Sequence, residues 1–68
     1  MDLWGEIGGA AGKVFSALEG ESDPVSLGVV KKKSKLTDDL LYLALGWLAR
    51  EDKVYLDRDK ATIRVKLK

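Results

Sequence analysis

The stretch TDDLLYLALGWLAR, residues 37–50, narrows the folds open to this chain more than any other. It reads as a helix that is apolar on almost every side. Thr37 suits the N-cap. Asp38 and Asp39, its only acids, fall in the first turn, where carboxylates suit the positive end of the helix dipole. Leu41, Ala44, Leu45 and Leu48 follow the i, i+3, i+4, i+7 rule and form one core stripe. Leu40, Leu43 and Trp47 form a second stripe, roughly a quarter-turn or more away. A chain of 68 residues has little surface with which to bury both. One stripe is therefore expected to face a partner protein, a second copy of the chain or a ligand.

Composition removes several classes of function. The chain is one domain, 1–68, near the lower limit for an unaided core. Its hydrophobic fraction of 46% and charged fraction of 34% are those of a soluble globular protein. No run is long enough to span a membrane. No basic flank precedes an apolar stretch at the N-terminus, so no signal peptide is visible and a cytoplasmic location is expected. The chain has no cysteine and no histidine. Thiolate metal sites, the usual general base and the usual metal ligand are thereby absent, and no metal or cofactor is expected. The remaining acids, Asp38/Asp39, Glu51/Asp52 and Asp57/Asp59, sit at element ends where capping and turn roles suffice. No enzyme is expected.

The rest of the chain divides by periodicity. Trp4, Ile7, Ala11, Val14, Phe15 and Leu18 recur at helical spacing over about residues 3 to 18. Gly5, Gly8, Gly9 and Gly12 weaken the first half, so a later start near Gly8 is an alternative. Close helix packing at Gly5/Gly9 and Gly8/Gly12 is the expected reason for them; they lack a phosphate-loop pattern. Residues 19–24, EGESDP, form a turn cluster with the only proline. Val25 leads into a short second helix, about Ser26 to Lys33, with Ser26 as its N-cap. Two strands follow, Lys53 to Leu56 and Ala61 to Leu67, joined by a turn at Asp57 to Lys60. In the second, Ile63, Val65 and Leu67 alternate with Thr62, Arg64, Lys66 and Lys68. The expected core is Val14, Phe15, Leu18, Val30, Leu41, Leu45, Leu48, Val54, Ile63 and Val65.

Helix, helix, short turn, long helix and a two-stranded antiparallel wing make an α+β chain that resembles the winged helix-turn-helix fold. The resemblance is most specific at LYLALGWLAREDKV, Leu41 to Val54. More narrowly, the chain is similar to a family of small stand-alone winged-helix proteins of bacteria and archaea with no assigned function. The shared features are IGGAAGKVFSAL (Ile7 to Leu18), the connection KKSKLT (Lys32 to Thr37) and LYLALGWLARE. They cover nearly the whole chain. They are specific for fold and weak for function, because winged helices serve DNA, RNA and protein recognition alike.

Duplex DNA is the first candidate partner. In such a fold the third helix enters the major groove and the wing touches phosphate or minor groove. The expected contacts are Lys32, Lys33, Lys35, Thr37, Tyr42, Arg58, Lys60 and Arg64. Arg64, Lys66 and Lys68 share a strand face with no acid of its own. Yet the groove-facing candidates Asp38, Asp39, Tyr42, Leu43 and Gly46 include none of the side chains that make bidentate base contacts. The expectation is weak or non-specific, phosphate-driven binding. Plainer readings stand beside it. The lysine run suits a solvated helix end, and strand charges discourage edge-to-edge pairing. The second candidate function is protein interaction or dimerisation through Leu40, Leu43, Trp47 and Trp4, with Leu43 and Trp47 at least partly exposed in the monomer. The alternative for Leu43 and Trp47 is a place in the core.

Overall fold

In the computed structural model, which describes residues 2–68, the chain runs α1 (Leu3–Leu18), β1 (Val25–Ser26), α2 (Leu27–Ser34), α3 (Asp38–Arg50), β2 (Val54–Asp59) and β3 (Thr62–Leu67). Three helices pack together and a three-stranded antiparallel sheet, ordered β1-β3-β2, closes one side.

α1 forms over its whole expected length. Asp2 caps it, its carboxylate accepting from the Trp4 backbone N–H at 3.0 Å. Glu6 adds a negative charge to the first turn. Together with the burial of Ile7, Ala10, Ala11, Val14 and Leu18, this outweighs glycines that each cost about 1 kcal/mol relative to Ala. The glycines do not serve close packing within the chain. A Cβ added at Gly5, Gly8, Gly9 or Gly12 meets nothing within 4 Å.

Ser26 caps α2 as expected, accepting from the Val29 N–H at 3.4 Å. The helix ends when Lys35 turns left-handed (φ 58°) and its N–H bonds the Lys31 carbonyl at 2.9 Å. Val25 and Ser26 are also a short strand, Val25 opposite Val65 and Ser26 opposite Arg64. Two residues carry no periodic signal, so the sequence shows only their run into the helix.

Val54 pairs with Leu67 and Leu56 with Val65, so two of the alternating apolar residues of β3 meet apolar partners. The turn is shorter than expected. Asp59 pairs with Thr62, leaving only Lys60 and Ala61 between strands, with Lys60 left-handed (φ 58°). Asp57, Arg58 and Asp59 look like turn residues by composition but are strand residues of an exposed hairpin.

The core is Ala10, Ala11, Val14, Leu18, Val30, Leu36, Leu41, Ala44, Leu45, Leu48, Val54 and Val65, with Ile7 at its edge. Two expected core residues fall outside it. Phe15 lies on the flank of α1 beside Trp47 and is 37% exposed, because residues 7, 10, 11, 14 and 18 already fill the buried face. Ile63 is only half-buried, since it sits opposite Arg58 near the hairpin tip, where fewer groups cover it. Leu36, in the connection between α2 and α3, is buried instead.

Candidate nucleic-acid interface

α3 presents Asp38, Asp39, Tyr42, Leu43, Gly46 and Arg50 to solvent, opposite its buried stripe of Leu41, Ala44, Leu45 and Leu48. Its start is built differently from the expected cap. Thr37 occupies the N-cap position, but its hydroxyl accepts no helix N–H. It donates to Asp39 at 2.5 Å, and the same carboxylate oxygen accepts from the Leu40 N–H at 2.8 Å. The Thr37 hydroxyl and then the Leu40 N–H hold the Asp39 carboxyl below its usual range. A carboxyl depressed in the folded state adds stability at neutral pH that is lost as pH falls through its folded value. Urea midpoints are therefore expected to decline below about pH 4, and Asp39→Asn is expected to flatten that decline. An unchanged acid profile in the variant would remove Asp39 from this role.

Asp38 is also engaged. Lys31, at the end of α2, reaches it at 2.7 Å, and this hydrogen bond raises the Lys31 pKa. The two carboxylates at the tip of α3 are thus each tied to a neighbouring group.

The expected cations divide into two sets. Lys33 pairs with Glu21 of the turn before β1. Arg64 grips Asp57 with two parallel bonds, Nε to Oδ1 at 3.1 Å and Nη2 to Oδ2 at 3.0 Å, and Asp57 raises its pKa. The strand face carrying Arg64, Lys66 and Lys68 is therefore partly neutralised from outside β3: Asp57 lies directly opposite Arg64, and Asp52 pairs with Lys68. Lys68 also lies 4.9 Å from the Tyr55 ring centre. Among the described residues, no acid pairs with Lys32, Lys35, Arg58 or Lys60. Lys32 and Lys35 flank the end of α2; Arg58 and Lys60 stand at the hairpin tip. Lys35 and Lys60 both hold left-handed backbone that glycine or asparagine adopts more easily.

A second surface lies on the other flank of α3. Leu40 packs half-buried against the core, while Leu43 and Trp47 are 42% and 41% exposed. Trp4 of α1, 71% exposed, meets Trp47 edge-on with ring centres 6.4 Å apart. The four expected interface residues are thus brought to one side of the α1–α3 pair. Beside them runs an open groove of roughly 360 Å³ lined by Gly8, Ala11, Gly12, Phe15, Trp47, Leu48 and Lys53. Phe15, Gly8 and Gly12 belong to this surface, which periodicity alone does not reveal. No helix is long and apolar enough to cross a membrane, and no cluster of three or more potential metal ligands occurs, among the described residues.

A helical trio with a tight α2–α3 connection, followed by an antiparallel hairpin that pairs back to a short strand before α2, defines a winged helix-turn-helix protein. The chain belongs to the winged helix-turn-helix domain family DUF2582, whose model matches residues 1–67. It is 38% identical over 68 residues to the uncharacterised protein MJ1608 of Methanocaldococcus jannaschii, covering 98% of this chain and 97% of that one. The solution NMR structure of protein BT2368 from Bacteroides thetaiotaomicron shares the fold, with a TM-score of 0.78 and 38% identity. The match covers 93% of this chain and 76% of that one.

Proposed function

We propose that this protein binds duplex DNA weakly and with little sequence preference, through phosphate contacts made by Lys32, Lys35, Arg58 and Lys60. The observation that carries this reading is that, of the six expected cationic contacts, these four have no acid partner among the described residues, while Lys33 and Arg64 do. They stand at the helix-turn-helix connection and the wing tip, the two places where such folds meet the DNA backbone. Low sequence preference follows from α3. Its exposed face offers Asp39, Tyr42, Leu43 and Gly46, with a single arginine, Arg50, at its far end. Tyr42 supplies a hydroxyl for an auxiliary phosphate contact, whereas the Thr37 hydroxyl is already donated to Asp39.

The test is an amide-shift titration of labelled protein with a mixed-sequence duplex at low salt. Shifts are expected at Lys32, Lys35, Arg58 and Lys60, alike for unrelated sequences. Shifts confined to other surfaces, or none, would contradict the proposal. The ion pairs add a prediction of opposite sign. Asp57→Asn frees the Arg64 guanidinium and is expected to tighten DNA binding and steepen its salt dependence by about one phosphate. Weaker binding in that variant would show that the pair, not the free cation, is what DNA requires.

A second reading rests on a separate observation. Trp4, Trp47 and Leu43 are exposed on one face of the α1–α3 pair, and contiguous exposed apolar surface marks an interaction site. The protein accordingly carries a protein-binding face distinct from Lys32, Lys35, Arg58 and Lys60.

A further inference from the structure

The geometry points to a second copy of this chain as the occupant of the α1–α3 face, in a two-fold dimer where Trp4 of each copy enters the groove of the other. This rests on the interaction-face reading above and names its partner. The face holds a projection and a recess side by side. Trp4 is its most exposed large side chain, and the groove between Phe15 and Trp47 lies along the same helix pair. A two-fold interface requires each copy to present both halves of the contact, as this face does.

The groove stays open because Gly8 and Gly12 line it without side chains. Nothing within 4 Å of either would obstruct a Cβ, so the monomer has no steric need for glycine there. Antiparallel α1 helices crossing at Gly8 place position 4 opposite position 12, about 12 Å along the axis from its own counterpart. Charge agrees with that register. Lys53 is the only charged residue lining the groove, and Asp2 lies two residues before Trp4. Insertion of Trp4 therefore carries the Asp2 carboxylate toward the partner's Lys53.

The area fits a reversible dimer. Trp4, Phe15, Leu43 and Trp47 together expose on the order of 400 Å², the size of the largest patch on a typical monomer, which is often functional. Two copies then bury about 800 Å², the size of a weak, transient contact. Dissociation in the range of about 0.1 to 1 mM is expected, within reach of concentrated solutions.

Sedimentation equilibrium from low micromolar to about millimolar concentration, paired with acrylamide quenching of tryptophan fluorescence, tests this. Both tryptophans of the chain lie on the face, so the fluorescence reports on it alone. The mass is expected to rise from 7.5 kDa toward twice that value while quenching falls over the same range. Gly12→Gln fills the groove and improves the helix, so it is expected to raise the melting temperature and yet stay monomeric. Trp4→Ala should also stay monomeric. A constant 7.5 kDa mass with freely quenched indoles overturns the second copy as partner and leaves the face exposed. Indoles shielded already in the dilute monomer overturn the interaction face itself. A dimer that survives Gly12→Gln places its interface elsewhere and overturns the proposed packing.

Discussion

Leu41→Ala is expected to bring this protein close to unfolding at room temperature. Leu41 is 2% exposed and lies where α3 meets the rest of the core. Removing its isobutyl group loses the transfer free energy and leaves a cavity, together about 3 to 5 kcal/mol. A domain of 68 residues has a total stability of about 3 to 10 kcal/mol. The melting temperature should fall by about 15 °C or more, read by far-ultraviolet circular dichroism. Leu43→Glu is the matched control. It lies two residues away, but on the exposed flank, and should leave the fold intact while removing self-association. A small shift for Leu41→Ala, or unfolding by Leu43→Glu, would mean that the two stripes of α3 are exchanged.

The second large effect concerns DNA. Combining Lys32→Gln, Lys35→Gly, Arg58→Gln and Lys60→Gly removes the four unpaired cations of the proposed interface. Each phosphate contact contributes a nearly fixed electrostatic increment through counterion release. Loss of all four is expected to abolish measurable binding to any duplex. The fold should be nearly unaffected. Glycine relieves left-handed backbone at positions 35 and 60, offset by the greater freedom it gives the unfolded chain, for a net change within about 1 kcal/mol. Neutralising Lys33 and Lys66 instead is the informative contrast. Lys33 already pairs with Glu21, and Lys66 lies in β3 opposite Tyr55, away from the wing tip. That variant should retain most of its affinity. Equal losses in the two variants would show that net charge, not placement, governs binding.

These contrasts also mark how far the sequence reads directly into structure. The long helices and the alternation of β3 are legible because each repeats its pattern over several turns or residue pairs. β1 has only two residues and exists through its pairing with Val65 and Arg64, so no local pattern announces it. Phe15 shares the helical period of its neighbours, but a helix in a three-helix domain has a narrower buried face than its apolar residues cover. The exposed flank of α3 is legible for the same reason in reverse: two stripes on one helix exceed the cover available. At the candidate site, the basic residues are plain in the sequence and their pairing is not. Asp57 reads as a turn residue until the two-residue turn at Lys60 and Ala61 sets it opposite Arg64. Glu21 reads as loop until α2 brings Lys33 beside it. Which cations remain free is a property of the tertiary fold.

The most direct measurement is the salt dependence of binding to a mixed-sequence duplex. Four phosphate contacts predict a log–log slope of about −3.6, so affinity should fall roughly a hundredfold between about 50 and 200 mM monovalent salt. Unrelated duplexes should give the same slope. No binding at low salt, or binding indifferent to salt, would contradict phosphate-driven DNA recognition by this protein.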